Sequence, residues 1–147
     1  MGAAIAKNFA ENGAEGIITI GRKEEKGKEV AKKIQEETGC KVIFVKTDLP
    51  NVQECRNAVS VAKKNFGKLD VLVNAAGITD RGNIVNTSEE LFDKMIGTNV
   101  KGPFFLIQET VKIMIDQGIQ GSIINIGSVS ALTCLLYTSD AADDDAC

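Results

Sequence analysis

Histidine is absent from all 147 residues, and that absence alone removes a large part of hydrolytic chemistry. Ser-His-Asp and Cys-His arrangements both need an imidazole, and Cys/His zinc sites lose one of their two ligand types. The four cysteines, Cys40, Cys55, Cys134 and Cys147, form no CxxC pair and are too sparse for a disulfide scaffold. Free thiols in a reducing cytoplasm are therefore expected, and no metal site. Long apolar runs are also lacking. A stretch such as Gly102–Ile107 (GPFFLI) is among the longest, far short of the roughly twenty residues that cross a bilayer. No basic stretch followed by an apolar one marks a secretion signal. Nor does one sign of charge dominate: 17 basic residues stand against 20 acidic ones, net -3, with the lysines scattered. That pattern argues against a nucleic-acid partner, as the apolar pattern argues against a membrane. What is present, 44% hydrophobic and 25% charged residues, is the composition of one globular domain with a real core.

The chain changes character near its end. The segment 134–147 contains four aspartates and no basic residue, so the preceding 133 residues carry a net charge of +1. Asp140–Ala146 (DAADDDA) has no core pattern. The string CLLYTSDAADD, Cys134–Asp144, resembles the in-frame translation of a transposase adapter used in sequencing libraries. The expectation is a domain over 1–133 followed by an adapter-derived, disordered tail over 134–147.

Over 1–133, short β-branched runs alternate with amphipathic segments. Gly16–Ile20, Lys41–Lys46, Asp70–Asn74 and Ser122–Ile126 read as strands covered on both faces, as in a parallel sheet. Between them, Val52, Cys55, Ala58, Val59, Ala62 and Phe66 recur at helical spacing, with Pro50 near the start and Gly67 at the end. A helix around Val30, Ala31 and Ile34 closes at Gly39. Thr87 and Glu90 form a capping box ahead of Leu91, Met95 and Ile96. Another helix carries Phe104, Ile107, Val111, Met114 and Ile115 on one stripe, with Phe105, Leu106 and Ile113 elsewhere around it. Apolar on more than one face, it should be buried on both. Ala3–Asn12 reads as a helix with no strand before it. The alternation specifies an α/β fold with right-handed crossovers.

Three small-residue motifs then fall at strand and helix ends. Asn74-Ala75-Ala76-Gly77 follows the third strand, at the carboxyl end where open α/β sheets bind ligands. Thr98-Asn99-Val100-Lys101-Gly102 comes next, then Asn125-Ile126-Gly127-Ser128-Val129-Ser130 after the fourth strand. In this order and at these elements, NAAG, TNVKG and NIGSVS resemble the short-chain dehydrogenase/reductase family, particularly its 3-oxoacyl-acyl-carrier-protein-reductase-like members. The resemblance covers 1–133 and implies a Rossmann-like doubly wound parallel sheet, incomplete because the first and the C-terminal strands are missing.

The resemblance also assigns roles. Gly2 is similar to the last glycine of the family's TGxxxGxG turn. Gly21 stands where NAD-preferring members have an acid, and Arg22 can meet a 2′-phosphate with its charged fork, so NADP is expected ahead of NAD. Asp48 and Leu49 resemble the pair at the adenine ring, although Asp48 also fits as the N-cap of the helix near Pro50. Asn74 and Gly77 would line the nicotinamide-ribose region. Asn99 resembles the helix asparagine of the proton relay, and Ser128, rather than Ser130, the serine that hydrogen-bonds the substrate oxygen. The implied activity is carbonyl reduction, or alcohol oxidation, on a small or acyl substrate, in a homo-oligomer, a tetramer when intact.

In the family a tyrosine protonates the oxygen and a lysine four residues later tunes it. Here the only tyrosine is Tyr137, inside the adapter-like string, and the family's spacing from Ser128 falls on Ala141 and Asp145. The chain as written is expected to be inactive. Loss of the first, central strand should also separate strands 16–20 and 41–46 from 70–74 and 122–126. Two alternatives are a non-catalytic dinucleotide-binding regulator, against which Asn99 and Ser128 argue, and a flavodoxin-like signalling module, which would need an acidic cluster or a phosphate loop at strand ends, where only the isolated Asp48 is present.

Overall fold

The computed structural model describes residues 1–80 and 84–128. The chain opens with helix α1 (Gly2–Glu11), then strand β1 (Gly16–Gly21), α2 (Glu24–Thr38), β2 (Lys41–Lys46), α3 (Val52–Phe66) and β3 (Val71–Asn74). After the loop come α4 (Glu89–Ile96), a π-helical turn (Gly97–Lys101), α5 (Gly102–Gln117) and β4 (Ser122–Asn125). The strands lie where the β-branched runs placed them. Helices α2 and α3 stop at Gly39 and Gly67, whose φ of 74° and 75° is the left-handed region that glycine enters without a Cβ clash.

Two helix starts differ from expectation. The cap of α3 is Asn51, whose side chain accepts from the N–H groups of Gln53 and Glu54. Asp48 is not the cap: it opens the turn before it, its carbonyl accepting from Asn51 N at 2.9 Å. For α4 the cap is Ser88 and not Thr87, with Ser88 Oγ accepting from Leu91 N at 3.2 Å. Both corrections have one cause. Several oxygen-bearing residues precede each helix, and the residue that caps is the one whose oxygen reaches the N–H groups two or three positions on.

The strands pair as β1 with β2 and β3 with β4, each pair parallel, with Gly16 opposite Lys41 and Val71 opposite Ser122. Among the described residues β1 and β3 share no ladder, so the sheet is split in two as expected. Helices cover both faces. Ile17 of β1 packs with Ala6, Ala10, Ala31 and Ile34 of α1 and α2. Ile20 of the same strand faces the opposite cluster, Cys55 and Val59 of α3 with Leu106 and Ile113 of α5. That second cluster also takes Leu72 of β3, so α3 and α5 lie under both halves of the sheet.

Helix α5 is rotated from the expected stripe. Its buried positions are Leu106, Thr110, Ile113 and Met114, while Phe104 and Ile115 are 57% and 74% exposed. The helix is apolar on two faces, but only the one centred on Leu106 and Ile113 is buried against the rest of the chain; the expected burial of the other is not seen. Among the described residues, no helix is long and apolar enough to cross a membrane.

Candidate functional site

The carboxyl ends of β1 and β2 and the loop after β3 converge on one cleft, where Arg22, Asp48, Leu49 and Gly77 meet Thr47 and Thr98. Four of the residues expected at a cofactor are thus brought together from three separate βα connections. The end of β1 supplies Arg22 beside Gly21. Among the described residues its guanidinium has no carboxylate partner, although Lys28, six residues on, is paired with Glu24. A free arginine beside a residue with no side chain leaves room for an anion.

The turn after β2 is fixed from several directions. Thr47, 1% exposed, donates its N–H to Gly21 O at 2.9 Å and its hydroxyl to Val45 O at 3.2 Å. Glu54 accepts from Asp48 N at 2.7 Å and from Asn51 Nδ2 at 3.0 Å. The thiol of Cys55, fully buried, donates to Leu49 O at 3.4 Å. Burial pushes that thiol's pKa up, and the carboxylates of Glu54 and Asp48 push it further, so Cys55 stays a neutral donor. Among the described residues nothing hydrogen-bonds the Asp48 carboxylate, which stays available at the cleft.

Behind the turn runs the π-helical segment, and here the TNVKG motif acquires a physical reason. A Cβ on Gly102 would fall 2.6 Å from Leu49 Cβ and 2.7 Å from Leu49 O; one on Gly97 would fall 3.0 Å from Pro50 Cβ. Only residues without a Cβ let this helix pass so close to the Leu49–Pro50 backbone. Between the two glycines, Asn99 uses its whole amide on the other side of the cleft. Its Oδ1 accepts from Ile78 N at 2.9 Å and its Nδ2 donates to Ile78 O at 2.8 Å. This pairing copies a backbone ladder and holds the loop that begins with Gly77, whose own Cβ position lies 3.4 Å from Asn99 Oδ1. A π-turn is a frequent device for aiming one side chain at a functional site.

The other expected residues stand apart from the cleft lining. Asn74 ends β3 and donates through Nδ2 to Asn125 Oδ1 at 2.9 Å, joining the NAAG and NIGSVS motifs side by side. Ser128 follows on the same loop, three residues past the end of β4. Gly2 begins α1, with nothing within 4 Å of its Cβ position. Val129, Ser130, Tyr137, Ala141, Asp145 and the whole segment 134–147 lie outside the described residues. Sequence reasoning missed Thr47 and Ile78, and named Thr98 only as part of the TNVKG motif. A polar residue closing an apolar strand was a usable signal for Thr47; Ile78 serves through its backbone, which no side-chain pattern reveals. Among the described residues no cluster of His, Cys, Asp or Glu could hold a metal ion.

Parallel strands with helices on both faces, and a cleft at their carboxyl ends, define a doubly wound α/β protein of the Rossmann type. The chain belongs to the short-chain dehydrogenase family, whose model (short chain dehydrogenase) matches residues 1–138, a few residues beyond the boundary expected at 133. It is 40% identical, over 147 aligned residues, to an uncharacterized oxidoreductase of Thermotoga maritima, covering 97% of this chain and 57% of that protein. The structure of L-sorbose reductase from Gluconobacter frateurii, complexed with NADPH and L-sorbose, is similar with a TM-score of 0.82 and 29% identity, over 88% of this chain and 48% of that one. A metagenomic short-chain oxidoreductase in complex with NADP is similar with a TM-score of 0.80 and 30% identity, over 86% and 57%. The chain spans about half the length of the relatives it matches.

Proposed function

We propose that this chain carries the NADP-binding part, and one wall of the catalytic site, of an oxidoreductase that interconverts a carbonyl and an alcohol on a small or acyl substrate. The observation that carries the reading is Arg22: an unpaired guanidinium beside Gly21, in a cleft shared with Asp48, Leu49 and Gly77. An acid in place of Gly21 would repel a 2′-phosphate, whereas Arg22 can bind one through charge-assisted hydrogen bonds. The NADPH and NADP complexes of the similar structures support the same choice.

The residues fit the cofactor. Arg22 would hold the 2′-phosphate, Asp48 and Leu49 the adenine, Gly77 and Asn74 the nicotinamide ribose, and Gly2 the turn at the pyrophosphate. When bound, the reduced nicotinamide supplies a hydride to the carbonyl carbon. Ser128 would hydrogen-bond the substrate oxygen. Asn99 acts by holding the Gly77–Ile78 backbone in place. Its pairing with Ile78, together with Ser128, favours an enzyme over a binding-only regulator. With Ala141 and Asp145 at the positions where the family's spacing puts tyrosine and lysine, this chain binds without turnover. Residues 134–147 are read as adapter-derived on the string CLLYTSDAADD, although the family model extends to residue 138. Cys40 and Cys55, both buried free thiols, favour a reducing cytoplasm.

The test separates the two halves of the ligand. The chain should bind adenosine 2′,5′-bisphosphate at least about tenfold more tightly than adenosine 5′-monophosphate by calorimetry, a difference of ~1.4 kcal/mol. Arg22→Ala should erase that difference and leave monophosphate binding unchanged. Equal affinities for the two nucleotides in the unsubstituted chain would overturn the NADP reading.

The oligomer rests on a second observation. Phe92, Ile96, Val100, Phe104 and Ile115 are all exposed along the continuous α4–π–α5 rod, the first four at intervals of four residues. That stripe is the surface on which a second copy docks.

A further inference from the structure

We propose that Glu54 is a positioning residue for the nucleotide base: it commits both carboxylate oxygens to the turn after β2, and so presents the Asp48 side chain to a 6-amino group in the cleft. The inference rests on the reading of that cleft as the adenine end of a dinucleotide site. Glu54 itself stands outside the cleft lining, which takes Thr47, Asp48 and Leu49 from this turn.

Helix α3 begins with a diverted cap. In a capping box, the acid at the third helical position reaches back to the N–H of the cap residue itself. Asn51 and Glu54 have that spacing, with Asn51 Oδ1 accepting from Gln53 N at 3.0 Å and from Glu54 N at 3.3 Å. The N–H of Asn51, however, already donates to Asp48 O at 2.9 Å. Glu54 reaches three residues further instead. Its Oε2 accepts from Asp48 N at 2.7 Å, while Oε1 accepts from Asn51 Nδ2 at 3.0 Å. Capping the helix does not require Asp48; the 2.7 Å bond ties the helix to the turn. The next residue continues the clamp, since the Cys55 thiol donates to Leu49 O at 3.4 Å.

The consequence falls on the Asp48 side chain. An aspartate that opens a turn ordinarily accepts from backbone N–H groups two or three residues ahead. Here the residue two ahead is Pro50, which has no N–H, and the N–H three ahead, on Asn51, is taken by the Asp48 carbonyl. The N–H of Asp48 itself is taken by Glu54. These three donors are therefore used or missing, and Asp48 lines the cleft with its acceptor capacity free among the described residues. A carboxylate accepts and cannot donate, so what it takes from a purine is an amino hydrogen. On adenine that is the 6-amino group.

The experiment uses the 147-residue chain and two ligands that differ only in the 6-amino group, adenosine 5′-monophosphate and purine riboside 5′-monophosphate, with affinities by calorimetry. The unsubstituted chain is expected to prefer the adenosine form by at least about tenfold, the size of one hydrogen bond to a charged group. Glu54→Gln keeps the length and an acceptor for Asp48 N, and is expected to keep the preference. Glu54→Asp keeps the charge at a helix N-terminus but is one methylene short of Asp48 N, and is expected to lose it. Glu54→Ala is expected to lose it too, with faster hydrogen exchange at the Asp48 amide. Ser88→Ala, which weakens the cap of another helix, is expected to leave the preference unchanged, so that lost stability alone does not imitate the effect. A preference kept by Glu54→Asp or by Glu54→Ala overturns the proposal and leaves the adenine reading standing. Equal affinities in the unsubstituted chain overturn the base contact at Asp48, and the proposal with it, while the 2′-phosphate preference keeps its own test. A chain that binds neither monophosphate overturns the cofactor reading and the proposal together.

Discussion

Asn99 does more at this site than its exposure suggests. Its amide makes both hydrogen bonds of a ladder pair with Ile78, at 2.9 and 2.8 Å, across 21 residues of chain. Asn99→Ala leaves that N–H and carbonyl to water and unfastens the loop after β3. A loss of about 1–2 kcal/mol in stability is expected, within the range for two partly solvated hydrogen bonds. Faster hydrogen exchange at the Ile78 amide should accompany it. An unchanged Ile78 exchange rate in Asn99→Ala would mean that the side chain does not hold the loop. The sequence marks Asn99 as unusual because asparagine is a poor helix-interior residue. It does not say what the amide touches, since Ile78 is an ordinary residue offering only its backbone. Arg22 is the opposite case: the role proposed for it comes from the family resemblance, with its position after a strand and the missing acid at Gly21, all of them readable in the sequence.

At the scale of elements, caps and glycines set where each helix starts and how closely it can pack. Ser88→Ala should destabilise α4 by ~1 kcal/mol, because Ser88 Oγ is the acceptor for Leu91 N. Thr87→Ala leaves that bond in place. Chemical denaturation of Ser88→Ala against the unsubstituted chain checks the assignment, and unchanged stability would remove Ser88 as the cap. The four strands and the helices were readable because β-branched runs and helical periodicity are local signals. The capping residues were misplaced by one to three positions because competing oxygens differ only in which N–H they reach. The glycines of TNVKG were legible as a motif, yet their reason is tertiary: Gly97 and Gly102 press against Pro50 and Leu49.

At the scale of the whole molecule, an apolar stripe of α4 and α5 is exposed among the described residues. The stripe leads to a separate expectation. Phe104 is 57% exposed and sits mid-stripe, in edge-to-face contact with Phe105 at 5.3 Å between ring centres. Phe104→Glu should shift the sedimentation mass from dimer or higher to monomer while the far-ultraviolet circular dichroism stays the same. A monomeric unsubstituted chain at micromolar concentration would remove the stripe as an interface. Sequence periodicity showed that α5 is apolar on two faces. It could not tell which face the sheet takes, because both read alike until α3 is docked against one of them.

The sequence by itself determined the kind of chemistry excluded, the alternation of strand and helix, and the three motifs that carry the family. These depend on residue type and short spacing, which the chain states directly. The tertiary structure alone decided that Arg22, Asp48, Leu49 and Gly77 share one cleft, because they arrive from three connections whose convergence is set by parallel pairing. It also decided that Asn99 fastens Ile78. The physical reason is the same in each case: a contact across 21 or more residues depends on how helices pack beneath the strands, and packing is a property of several elements at once.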